Sequence, residues 1–148
     1  MKEGLLVGVI ASLVVTSAAY AQQPASAGRI KLASGSVSIV RNGSTIPAQA
    51  GQFIYESDSL RTGGDGRVGV TLNDDTRISL GPNSEVRLDK FAYSPAESQL
   101  ALVLRMVRGA AAYVSGRIAK LAPDSIRLET PAAIVGVRGT TVALRVAS

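Results

Sequence analysis

From Arg29 onward, apolar and polar residues alternate in short runs separated by turn-forming residues, the period of half-buried strands rather than of helices. Val37 and Ile39 alternate with Ser36 and Ser38, and Asn42-Gly43 follows. Both turn positions tolerate positive φ, which predicts a tight hairpin whose second strand runs through Thr45 and Ile46. Asp58 to Thr62 leads into Gly63-Gly64-Asp65-Gly66, a predicted turn through left-handed backbone. Val68, Val70 and Leu72, then Ile78 and Leu80, then Val86 and Leu88 alternate at a spacing of about nine residues, with Asn73-Asp74-Asp75 and Gly81-Pro82-Asn83 between them. Leu100, Leu102 and Leu104 keep period two, which fits them better than a helix over Ser98 to Val107, and Val107, Gly109, Ala111 and Tyr113 carry the pattern past Arg108. Tyr93 to Glu97 is looser and Ser115 to Asp124 is a connection. Ile126 and Leu128 precede a break at Thr130-Pro131, and a last strand runs from Thr140 through Val142 to Leu144. The expected fold is all-β, its short strands forming a sandwich or a small solenoid-like β-roll.

The N-terminus follows another pattern. Lys2 precedes an apolar run from Leu5 to Val15 that ends in Ser17-Ala18-Ala19-Tyr20-Ala21, the build of a signal-peptide helix over 1–21 cleaved before Gln22. The run is shorter than the ~20 residues of a spanning helix, although Leu5 to Ala21 taken whole would serve as an uncleaved anchor. Residues 22–28 are small and polar and read as a flexible arm, leaving 29–148 as one β domain. No later apolar run reaches spanning length, so the expectation is a periplasmic protein without a membrane span after cleavage.

Composition narrows the chemistry. The 148 residues include no cysteine and no histidine, which removes disulfides, thiol nucleophiles and the commonest metal ligand and proton shuttle. The one nucleophile pair that spacing offers is Ser115 with Lys120. Gly63-Gly64-Asp65-Gly66 faintly resembles a calcium-binding nonapeptide, but Val68 stands where the second acidic ligand would be, so a plain turn is favoured. Asp74-Asp75 reads as a hairpin tip, because neighbouring strand residues point to opposite faces. The expectation is a non-enzyme with no cofactor and no metal. The net charge of +5 lies in the second half, where Arg105, Arg108, Arg117, Lys120 and Arg127 form either a basic strip for an acidic polymer or, the favoured reading, a solvated surface scattered over both faces. Six aromatic residues are too few for a base-stacking platform, so no nucleic-acid partner is expected.

In the closing segment, Pro131 stops a strand, and Gly136 and Gly139 flank Arg138 as though a side chain had no room there, the mark of a bulge or close backbone approach. Arg138 is either an internal strut or a fork for a carboxylate or phosphate. Thr130, Pro131, Gly136, Arg138, Gly139 and Thr140 are therefore the candidate interaction or structural residues.

Five phrases, in this order and spacing, resemble the FecR domain, the periplasmic module of bacterial iron-citrate signalling regulators and of many shorter exported proteins. They are Gly35-Ser-Val; Asp58-Ser-Leu-Arg-Thr-Gly-Gly-Asp-Gly-Arg; Leu72-Asn-Asp-Asp-Thr-Arg-Ile-Ser-Leu-Gly-Pro-Asn-Ser; Val114-Ser-Gly-Arg-Ile-Ala-Lys; and Glu129-Thr-Pro-Ala-Ala-Ile-Val-Gly-Val-Arg-Gly-Thr-Thr. In the full regulators the resemblance implies a relay from an outer-membrane transporter, through a membrane helix, to a cytoplasmic anti-sigma segment. Only Met1 to Gly4 precede the apolar run, too little for that segment. The expected role is an exported scaffold or ligand-sensing module that binds another envelope protein. The alternatives are a membrane-anchored regulator of iron-transport signalling with an uncleaved helix, and a protein binding a polyanion or the cell wall.

Overall fold

In the computed structural model, residues 24–137 and 141–146 are described, with isolated positions 4, 8, 11, 12 and 14. The expected signal-peptide helix and Arg138, Gly139 and Thr140 lie outside them. Among the described residues the alternation of the sequence becomes twelve strands in one curled, mostly antiparallel sheet that forms a half-barrel. They are β1 (Gly28–Ser34), β2 (Val37–Arg41), β3 (Ser44–Pro47), β4 (Phe53–Ile54), β5 (Ser59–Thr62), β6 (Arg67–Leu72), β7 (Arg77–Leu80), β8 (Glu85–Ser94), β9 (Gln99–Val114), β10 (Ile126–Glu129), β11 (Ile134–Gly136) and β12 (Thr141–Val146). A five-residue helix, α1 (Arg117–Leu121), sits between β9 and β10. Among the described residues no helix is long and apolar enough to cross a membrane.

The sheet has two lobes that share β9. One runs β3-β2-β5-β8-β9-β10-β11 and the other β4-β1-β6-β7-β9-β12. Neighbours pair antiparallel except β9 with β10, so the chain meanders and does not stack parallel rungs as a solenoid does. The apolar residues that alternate in sequence face one core between the lobes, including Ile39, Leu60, Val70, Leu80, Leu88, Leu104 and Leu128.

β9 makes the two lobes one sheet. Its buried positions are even-numbered through Leu102, Leu104 and Met106, then odd at Tyr113, so the strand changes its inward face midway. Glu85 pairs with Arg108 but Val86 with Met106, leaving Val107 as an extra residue. Gly109 follows at φ +83°. A Cβ there would stand 2.6 Å from the Asn83 carbonyl oxygen and from Ser84 Cα, so glycine is required by both conformation and space.

A closed circuit of hydrogen bonds pins this crossing. Ser84 N–H donates to Thr62 Oγ1 at 2.9 Å, and the Thr62 hydroxyl donates to the Gly81 carbonyl at 2.6 Å. Gly81 N–H donates to the Ala110 carbonyl at 3.1 Å, Ala110 N–H donates to Ser84 Oγ at 2.9 Å, and the Ser84 hydroxyl donates to the Pro82 carbonyl. Thr62 and Ser84 are buried, where a polar group without a partner is costly.

Several local expectations change. The looser Tyr93–Glu97 segment is the tip of the long β8–β9 hairpin, because cross-strand pairing continues to Ser94 and Gln99 and overrides its polar composition. The Ser115–Asp124 connection contains α1. None of Gly63, Gly64 and Gly66 has positive φ; Gly66 lacks a side chain because a Cβ would run into the Ser36 carbonyl oxygen of the β1–β2 turn. The arm over 22–28 already meets the domain at Ala27, which is buried and donates its N–H to the Ile54 carbonyl. By contrast, Asn42 and Gly43 both take positive φ in the β2–β3 hairpin, as the sequence predicts.

Thr62→Val should lower stability by about 1–3 kcal/mol by leaving the buried Ser84 N–H unpaired, and Gly109→Ala should cost at least as much. Urea midpoints of both variants check this.

Candidate interaction surface

The described part of the closing segment is the β10–β11 hairpin and its exit. Thr130 shapes the turn: its N–H donates to the Ala133 carbonyl at 2.8 Å, and its hydroxyl oxygen accepts the N–H groups of Ala132 and Ala133 at 3.3 and 3.1 Å. Pro131, exposed at this turn, ends β10 as expected. β11 pairs with β10 alone among the described strands, so it forms an edge of its lobe. Ile134, on that edge, is 67% exposed. Val107, the bulged residue of β9, is 40% exposed, and with Pro131 and Ile134 it lines a hollow of about 330 Å³ next to Arg105 and Glu129.

Gly136 departs from expectation. A Cβ there would meet nothing within 4 Å, and its φ is not positive. Among the described residues nothing crowds it, because β11 pairs with β10 alone and forms the edge of its lobe. Among the described residues the close approaches lie at Gly28, Gly35, Gly66, Gly109 and Gly116.

Among the described residues, the basic residues of the second half are all exposed, as a solvated surface requires. Arg105 is neutralised by Asp89 at 3.1 Å and Glu129 at 3.3 Å, and Asp89 also holds Arg87 at 3.1 Å. Arg117 stands 3.4 Å from Asp75. Arg108, Lys120 and Arg127 have no acidic partner among the described residues. The ladder of Glu85, Asp89 and Glu129 lies on strands, whereas the turn acids do other work.

Asp74 and Asp75 separate as expected, one buried and one exposed, but Asp74 is more than a hairpin tip. Its carboxylate accepts the Thr76 N–H at 3.1 Å, the Thr76 hydroxyl at 2.7 Å and the Ile118 N–H at 3.2 Å, while its carbonyl accepts the Arg117 N–H at 2.7 Å. It thereby ties the start of α1 to the β6–β7 turn. Gly116 permits this, since a Cβ would lie 2.7 Å from Thr76 Oγ1. Ser115 lies by the buried Tyr113 phenol, whose acidity burial weakens, raising its pKa. Asp65 accepts the Ser36 N–H at 3.1 Å, and that bond holds its carboxyl below the ordinary value.

Sequence reasoning missed Asp58, which is 3% exposed. Arg41 grips it with two bonds, Nε to Oδ1 at 2.9 Å and Nη2 to Oδ2 at 2.8 Å, and Tyr55 N–H donates to Oδ2 at 2.8 Å. The Arg41 guanidinium also stacks on the Tyr55 ring. Only the repeated use of Asp at turn edges hinted at it, and the partner is 17 residues away in sequence.

The family model described as FecR protein matches residues 58–148, more than half of the chain, and the chain belongs to that family. Its match begins at Asp58, yet β1 to β4 complete the same sheet, through pairing of β1 with β6 and β2 with β5. No curated protein and no solved structure matches the chain.

Asp58→Ala should destabilise by about 3 kcal/mol, the low end for a broken buried pair because Arg41 keeps partial access to water, whereas Gly136→Ala should change stability by less than about 0.5 kcal/mol. Thermal unfolding of both variants tests the contrast. Asp65 has a depressed pKa in the folded state, so its contribution is present above the ordinary carboxyl pKa and is lost as pH falls through the lower folded value. The stability gap between the protein and Asp65→Asn should therefore narrow from about pH 6 to about pH 3, measured as urea midpoints across that range.

Proposed function

We propose that this FecR-family chain is an exported periplasmic protein that works by binding, and that it holds another envelope protein along the β10–β11 edge. The observation that carries this reading is Ile134, a β-branched apolar side chain 67% exposed on an edge strand, inside the closing phrase that matches the family. An edge strand offers unpaired N–H and C=O groups to an added strand, and side-chain hollows beside it supply selectivity. The hollow lined by Val107, Pro131 and Ile134 fits that role. The buried polar side chains Asp58, Thr62, Asp74, Thr76 and Ser84 are engaged in bonds that hold the fold, which agrees with a binding rather than a catalytic role. Export rests on the apolar run from Leu5 to Val15 and the small residues that end it.

Ile134→Asp should leave the unfolding midpoint nearly unchanged, since the residue is exposed, and should abolish capture of the partner from envelope extract. Undiminished capture by a stable Ile134→Asp variant would move the binding surface elsewhere.

A further inference from the structure

The lobe opposite the β10–β11 edge carries a second surface. In β1, Ile30 pairs with Val70 but Leu32 pairs with Gly69, so one residue, Lys31, is bulged. The bulge reverses the alternation that begins at Ile30. Leu32, which would otherwise follow Ile30 inward, is turned onto the outer face at 56% exposure, and Ala33 packs against the core instead.

Leu32 heads a row of register partners that crosses β1, β6, β7, β9 and β12: Leu32, Gly69, Ser79, Ala112 and Ala143. Beyond Leu32 every member is small, so the sheet face forms the floor of an open trough of about 540 Å³. Arg67 and Arg145 line one side of it. Arg77, two residues before Ser79 on the outer face of β7, stands on the other. All three are exposed, and none has an acidic partner among the described residues.

We infer that this face docks a peptide-sized segment of a partner protein, apolar along its middle and carrying carboxylates on both flanks. The flanking arginine positions are four residues apart along the strands, about 13 Å, and five strands span about 19 Å. A footprint near 250 Å² is well below the ~800 Å² per partner of a stable association between folded surfaces, which favours a segment over a second copy. A second copy apposing the same face would also bring arginine against arginine. A polyanion would use the arginines but has no use for an exposed leucine above an empty apolar floor. The surface is separate from the Ile134 edge and stands or falls without it.

The test is selection of a random dodecapeptide display library on the purified protein, with enriched peptides then measured by fluorescence anisotropy. The expected peptides carry Asp or Glu on either side of an apolar stretch. Their affinity should fall at least tenfold in Ala112→Leu, which fills the floor, and in the double variant Arg67→Glu/Arg145→Glu, and should be unchanged in Ile134→Asp. The two trough variants act by different means, so a folding defect in one, seen by thermal unfolding, leaves the other to decide. Enrichment of basic peptides, absence of enrichment, or affinity that ignores both trough variants would overturn the inference. So would polyphosphate binding that Arg67→Glu/Arg145→Glu abolishes and Ala112→Leu spares, or a dimer in sedimentation that Ala112→Leu dissociates.

Discussion

The crossing of β9 from one lobe to the other is the constraint on which the rest depends. A strand has only two faces, and β9 must present even-numbered residues to the core up to Met106 and Tyr113 afterwards. One extra residue at Val107 and one left-handed residue at Gly109 make the change. The Thr62–Ser84–Ala110 circuit then supplies partners to backbone groups that the interrupted ladder would leave unpaired. Without it, the lobes would share a chain but no common core.

Other polar side chains, buried at Asp58 and Asp74 and exposed at Asp65, repeat this logic at the turns. Asp58 with Arg41 closes the β4–β5 loop against β2, Asp65 with Ser36 clasps two turns together, and Asp74 with Thr76 docks α1 onto the β6–β7 turn. Asp58, Thr62, Asp65, Asp74, Thr76, Ser84 and Gly116 all fall within the phrases by which the sequence resembles the FecR domain. In this chain those phrases encode the joints of the fold. The resemblance therefore speaks strongly about architecture and only indirectly about partners, in keeping with the separation of fold from site.

What is left for recognition is the outside of the sheet. One lobe bears a strand ladder of ion pairs through Arg87, Asp89, Arg105 and Glu129, whose mutual neutralisation takes Arg105 out of the apparent basic strip. The net positive charge survives at cations without acidic partners among the described residues, and their position matters more than their number. At Arg67, Arg77 and Arg145 they border a flat apolar floor. At the β11 edge, exposed apolar residues lie next to an ion pair instead.

The sequence by itself determined most of the strands, though not β1, β4 or β11, together with the Asn42-Gly43 hairpin, the split between Asp74 and Asp75, and the family, because each follows from local alternation, from turn chemistry, or from the order of short phrases. Tertiary structure alone decided which glycines are needed: among the described residues nothing approaches Gly136, while Gly109 and Gly116 face backbone that arrives from distant turns. It also decided that the buried Asp58 has an arginine partner, that Leu32 faces outward, and that Gly69, Ser79, Ala112 and Ala143 share one row. These depend on register and on single-residue bulges. A shift of one residue reverses every side chain that follows, and nothing in the local pattern of a strand records which neighbour it will meet.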